Sequence, residues 1–378
     1  MNAFPERNPS LTRDVYLDWM RGIAALLVLL SHLRTGFFGS WPEVDPASQT
    51  VLNHGLFLVT RFGHQAVVIF FVLSGYLVGG QAVMQARARR FSLRHYVVAR
   101  VARLYTVLIP ALLLTATVDT LGNQWSSSAD GWRAFFLNLF FLQTILGPYY
   151  GTNVPLWSLS FEWWFYVLFG LAVFVYASPS IVQRSVAGLF VLLVVYLLFF
   201  VSHNKWVLVS LPLWLSGAVI RTVPAPSARV CWPMALLSLV VLCTFMLVSA
   251  LNGHQLVDDS LVGAATALLI WALRRTEPIR APWLAAGHTL AAFSFTLYAI
   301  HQPLNALVIH LLVPHPLTRP SASGWVAMLI VGVGLASCSF AWYWLFERNT
   351  PRMRRWLLLR LEPRGSTLTI AQAESLRH

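Results

Sequence analysis

The residues best suited to chemistry in this chain are ionisable groups set inside long apolar runs, where a charge is costly unless it is paired or faces a cavity. One such run reads Y-L-D-W-M-R-G-I-A-A-L-L-V-L-L-S-H and holds Asp18, Arg21 and His32. On a helix, positions eleven apart differ by roughly 20° around the axis and stand about 16 Å apart along it. Arg21 and His32 therefore share one face, with Arg21 toward one end and His32 toward the other. Asp18, three residues before Arg21, falls within reach of it. A guanidinium grips anions, and an imidazole exchanges protons near neutral pH. The pattern also fits an arginine snorkelling to one interface and a histidine among the opposite headgroups.

Further along, F-F-V-L-S-G-Y places Ser74 and Gly75 in an apolar run, a small pair that also serves close helix packing. R-V-A-R puts Arg100 and Arg103 on one face at a helix start. Such a pair can hold phosphates through charge-assisted hydrogen bonds, or simply mark a cytoplasmic loop. In W-S-L-S-F-E-W-W-F-Y, Glu162 falls just inside a helix end, at a depth expected to match that of His32. A histidine with a carboxylate partner is the usual make-up of a general base. In S-F-T-L-Y-A-I-H-Q-P, Ser294, Tyr298 and His301 lie on one apolar helix. His301 is expected deeper than His32, as a second intramembrane histidine or a helix-to-helix hydrogen bond.

These residues must be positioned by membrane helices. The chain has 378 residues, 57% of them hydrophobic and 11% charged, whereas soluble domains carry about 25% charged residues. Apolar runs of spanning length occur near 15–33, 64–80, 97–118, 160–178, 181–201, 206–221, 232–250, 259–273, 289–312 and 325–347. A shorter run, 134–146, reads as an interfacial or re-entrant segment. The expected fold is all-α, a polytopic bundle of about ten transmembrane helices. With ten spans and cytoplasmic termini, 21 of the 27 basic residues fall inside, as the positive-inside rule requires. This divides the chain into a cytoplasmic segment at 1–14, a transmembrane domain at 15–350 and a basic cytoplasmic tail at 351–378. The net charge of +13 is thereby assigned to topology and not to nucleic-acid binding. No cleavable signal peptide is expected, because the first apolar run is followed by others. Cys231, Cys243 and Cys338 form no CxxC pair, so neither a disulfide nor a metal site is expected.

Taken in order, the pieces L-D-W-M-R-G-I-A-A with His32, F-F-V-L-S-G-Y, R-V-A-R, W-S-L-S-F-E, S-F-T-L-Y-A-I-H-Q-P and F-E-R-N-T-P resemble the acyltransferase 3 family of bacterial membrane proteins. The resemblance runs from about residue 14 to 351. It implies acyl transfer, commonly of acetyl from acetyl-CoA, to carbohydrates of surface polysaccharides, or to macrolides in some members. It carries the family's essential arginine and histidine onto Arg21 and His32, its arginine pair onto Arg100 and Arg103, and its motif glutamate onto Glu162. It also implies the bacterial plasma membrane. Asn349-Thr350-Pro351 departs from the family's usual Pro directly after Glu-Arg. Some relatives carry a further soluble domain; this chain would act alone or with a separate partner.

The implied partners are acetyl-CoA as donor, a carbohydrate acceptor, free or lipid-linked, and membrane lipids, with no nucleic acid and no metal. Arginines at the inner end, with Ser74 beside them, would hold the donor. His32 and Glu162 would do the chemistry, and Asp18, Tyr298 and His301 would contact substrate or brace the site. The competing class is a transporter or flippase of a lipid-linked sugar or another solute, in which Arg, His and Glu form a substrate or proton path.

Overall fold

The computed structural model describes residues 15–122, 129–202, 206–252, 256–276, 283–313 and 316–361. Among these the regular secondary structure is helical, without a β-strand. Its helices are α1 (Val15–Phe38), α2 (Val51–Val59), α3 (Gly63–Ser74), α4 (Gly80–Arg87), α5 (Leu93–Leu121), α6 (Ala129–Leu139), α7 (Leu156–Ala177), α8 (Ile181–Tyr196), α9 (Trp206–Thr222), α10 (Cys231–Asn252), α11 (Leu256–Leu273), α12 (Trp283–Leu312), α13 (Ala322–Leu345) and α14 (Thr350–Arg360). A π-helical turn, Gly75–Gly79, joins α3 to α4.

Nine helical segments among the described residues are long and apolar enough to cross a membrane. The tenth expected span, α9, has 17 residues and so covers about 25 Å, less than a typical hydrocarbon core of about 30 Å. The packing of α1 on α12 settles its role. Trp19 lies on Gly287, Gly22 on Leu290 and Gly36 on Ile309, so the two helices run in the same direction. Seven spans between them give that result, and six would make them antiparallel; α9 must therefore cross. It is short because protein surrounds it: Trp214 and Ala218 are buried. A Cβ on Gly75 would sit 1.7 Å from the Trp214 carbonyl oxygen, so α9 touches the π turn backbone to backbone, the close approach that small residues allow between membrane helices.

The short run 134–146 does not span. Its helical part ends at Leu139, and the chain then folds back as a loop anchored by the buried Phe141, Ile145 and Tyr150. Gly151, at φ +54, lies where any Cβ would fall 1.8 Å from an Asp119 oxygen, so both the turn and the approach need glycine. Asp119 accepts from the Thr152 N–H and hydroxyl at 3.1 and 2.7 Å. The neighbouring Asn153 serves α12. Pro303 has no N–H to give the carbonyl of Ala299 four residues earlier, and Asn153 Nδ2 donates to that oxygen at 2.9 Å.

Residues 1–14 and 362–378 lie outside the described residues. The start of the expected tail is a helix on the bundle: the Arg94 guanidinium donates to the Leu358 carbonyl, and Thr106 meets Thr350 at 2.9 Å. Ten spans put both ends of the bundle on one side. A reporter fused after Arg360 and one fused before Val15 are expected to report the same, cytoplasmic, face; opposite faces would contradict the topology.

Candidate active site

Two cavities lie in the bundle and share Val67 and Tyr298 as wall residues. The larger, about 480 Å³, is lined by Arg21 of α1, Arg100 and Arg103 of α5, Arg221 of α9, Ser74 and Glu162, among others. The smaller, about 250 Å³, is lined by His32, Arg34, Arg61, His64, Trp157 and the shared Tyr298, among others. Arg21 and His32 thus line different cavities, as expected for two ends of one helical face. Tyr298 is fixed at the partition. Its hydroxyl lies 2.5 Å from Ser158 Oγ and donates to the Pro155 carbonyl at 2.8 Å; Ser158 then donates to Tyr298.

The larger cavity gathers the residues suited to an anion. Arg100 stands over the Tyr166 ring, 5.7 Å from its centre. Arg103 stands over Phe295 at 5.4 Å and pairs with Glu347 at 3.7 Å. Glu347 is itself fixed by the Thr296 hydroxyl at 2.6 Å and N–H at 3.2 Å. Ser74 is a cavity residue, while Gly75 next to it makes the helix contact. Trp214 Nε1 donates to Ser74 Oγ at 3.1 Å, Ser74 lies 2.9 Å from the Tyr166 hydroxyl, and Tyr166 donates to Glu162 at 2.5 Å. With Glu162 ionised the direction is fixed from Trp214 to the carboxylate, since each hydroxyl has one proton to give. The π turn begins one residue after Ser74, a helix irregularity that recurs at functional sites.

This placement corrects the expected pairing of Glu162 with His32. Glu162 lies in the arginine cavity, bonded to Tyr166, six residues and about 9 Å into α7. Asp18 acts electrostatically on Arg21 as its spacing implies, and it also pairs with His288 at 2.5 Å, because α12 runs beside α1.

The partner of His32 is His301. Their rings are near-parallel, 9° apart, with centres 5.0 Å apart, and meet edge to edge: His32 Nδ1 lies 2.7 Å from His301 Nε2. The expectation that His301 lies deeper and farther off is therefore wrong. Hydrogen-bond logic assigns the tautomers. His301 Nδ1 faces two carbonyl oxygens, of Leu297 at 3.0 Å and Tyr298 at 2.8 Å. Carbonyls only accept, so His301 Nδ1 carries the proton and, in the neutral ring, Nε2 accepts. His32 Nδ1 must then donate to it. What remains on His32 is Nε2, a lone-pair nitrogen on a ring that lines the smaller cavity. His301 is fully buried and plays the orienting part that a carboxylate plays for many catalytic histidines.

Several cavity residues were not singled out from the sequence: Tyr166, Arg221, Arg34, Arg61 and His64. His64 pairs with the buried Asp259 at 2.7 Å. Tyr166 stands four residues after Glu162, a spacing that places both on one face. No group of three or more potential metal ligands occurs among the described residues.

The protein is a polytopic helical bundle in which an arginine-lined cavity backs onto a histidine-lined one. The family model described as an acyltransferase domain matches residues 14–347, and the chain belongs to that acyltransferase 3 family. It is 29% identical over 208 residues to an O-acetyl transferase of Shigella phage Sf6, a match covering 52% of this chain and 56% of that protein. It is 28% identical over 167 residues to Acyltransferase MdmB of Streptomyces mycarofaciens, covering 43% of this chain and 40% of that protein. The matches thus span about half the length of these relatives. No solved structure matches the chain significantly.

Proposed function

We propose that the protein is an O-acyltransferase that moves an acetyl group from cytoplasmic acetyl-CoA to a hydroxyl of an extracytoplasmic carbohydrate. The observation that carries this is the end-to-end placement of the two cavities, with arginines in one and the lone-pair nitrogen of His32 facing the other. Arg21, Arg100 and Arg103 hold the CoA phosphates by charge-assisted hydrogen bonds. Glu162 balances their charge on the donor side. The pantetheine arm runs along the α1 face toward the wall formed by Val67 and Tyr298.

At that wall His32 Nε2 takes the proton of the acceptor hydroxyl. The hydroxyl oxygen bonds to the thioester carbonyl carbon, the C–S bond breaks, and the leaving thiolate takes the proton back from His32. Acetyl carriage on Nε2 would use the same lone pair. The Nδ1 proton stays bonded to His301 throughout. The partition limits loss of the thioester to water.

Incubating the purified protein with acetyl-CoA and a carbohydrate acceptor is expected to release CoA thiol and acetylated product in equal amounts. Movement of solute across vesicles without thiol release would favour the transporter instead. On the donor side, Arg100→Ala with Arg103→Ala is expected to raise the KM for acetyl-CoA. The loss is about 1.5–3 kcal/mol for each contact at most. A folded double variant with unchanged donor KM would return both residues to a purely topological role.

A further inference from the structure

Among the described residues, nothing in the wall of the smaller cavity balances its positive charge. Arg34 and Arg61 both line it beside His32, and none of the described lining residues is acidic. The nearby acids are engaged elsewhere. Glu43 accepts from the Ser40 hydroxyl at 2.7 Å, Asp45 pairs with Arg319 at 2.9 Å, and Asp259 pairs with His64 at 2.7 Å. Asp45 is held below the ordinary carboxylate range by the Ala47 N–H and by Arg319, and so stays committed to those partners.

Arg34 is only 9% exposed. Its Nη1 donates to the Gly39 carbonyl at 2.6 Å, and its guanidinium lies over Phe57, 5.2 Å from the ring centre. These contacts fix the group but neutralise none of its charge. Its Nε is buried without a hydrogen-bond partner, a condition that costs stability unless a ligand completes it. Arg61, by contrast, is exposed. An exposed arginine at this level commonly meets a lipid phosphate, but a buried one in a cavity wall does not. Trp157, on the same cavity wall, offers an apolar ring face beside polar groups, the mixture that suits small-molecule sites.

We infer that the smaller cavity is an anion-reading acceptor site: Arg34 and Arg61 hold a carboxylate or phosphate of the acceptor and so bring its hydroxyl to His32. This rests on the acyltransferase reading above and adds the acceptor's chemical class. The anion is either an acidic group on the sugar itself or the phosphate of a lipid link.

The test uses the full-length protein in a neutral detergent, which removes lipid phosphates, with three acceptors: a methyl hexoside, the matching methyl hexuronide and a polyprenyl diphosphate-linked hexose. At least one anionic acceptor is expected to have a KM ten-fold or more below that of the neutral hexoside. Preference for the hexuronide assigns the anion to the sugar, and preference for the diphosphate assigns it to the lipid link. Arg61→Gln is expected to remove most of the preference and Arg61→Lys to keep it. Arg61 is exposed, so neither variant disturbs the buried packing. Equal KM for neutral and anionic acceptors overturns the inference alone, as does a preference that survives in Arg61→Gln. Absence of thiol release with all three acceptors overturns the acyltransferase reading and this inference with it.

Discussion

A His32→Ala protein is expected to bind acetyl-CoA normally and to transfer nothing. Arg21, Arg100 and Arg103, the proposed donor contacts, line the larger cavity and His32 lines the other one, so on the proposed function removing the imidazole leaves the donor's phosphate contacts in place. The lost proton transfer alone is worth about 10²–10⁴-fold, and loss of a carrier nitrogen would cost more. His32→Gln keeps most of the volume but supplies no basic nitrogen, and it should be equally inactive. Product formation and CoA binding measured on the same folded preparations check this. Near-normal turnover would remove His32 from the chemistry. Loss of CoA binding together with folding would make it structural.

The second large effect belongs to His301. Its Nε2 accepts from His32 Nδ1 at 2.7 Å while its own Nδ1 is held by two carbonyls. Without it, His32 can place its proton on either nitrogen and rotate freely. His301→Ala is expected to lower kcat by about 10²-fold or more, within the range for a misdirected base, with little change in the KM for acetyl-CoA. His301→Gln is expected to recover part of the rate, because its side-chain oxygen can accept from His32 Nδ1. A merely structural His301 would show loss of folded protein and no recovery with Gln. Steady-state kcat and KM for the two variants separate these outcomes.

The spans, and the face shared by Arg21 and His32, were legible because they depend on properties local to one helix: apolar length, charge sign and the helical repeat. The resemblance of ordered motifs, now joined by the family match over 14–347, was legible because each motif is contiguous. What was not legible depends on which helices touch. Glu162 was read as level with His32 because both stand near helix ends. The chain enters α7 at Leu156 from the fold-back loop, and about 9 Å of descent carries Glu162 past the partition. The interaction of Asp18 with Arg21 was legible from spacing, but its pair with His288 depends on α12 lying beside α1.

The His32 and His301 contact was only half legible. With ten spans α1 and α12 run in parallel, but the expected run 289–312 left His301 off the level of His32. The observed start of α12 at Trp283 makes the two histidines the 18th and 19th residues of their helices; their level and their adjacency both required the structure. Arg34 and Arg61 are two of the basic residues that ten spans leave outside the cytoplasmic segments. Their meeting at one cavity depends on the turn after α1 and the approach to α3, which no periodicity encodes.

The central claim is that donor and acceptor meet from opposite faces of the membrane. The most direct test places acetyl-CoA on the Arg100 side of sealed vesicles holding the oriented protein, with a membrane-impermeant acceptor on the His32 side. The account predicts free CoA on the first side and acetylated acceptor on the second, in equal amounts, with neither formed by His32→Ala. Product formed only when both substrates share a side, or acceptor crossing the membrane without thiol release, would contradict it.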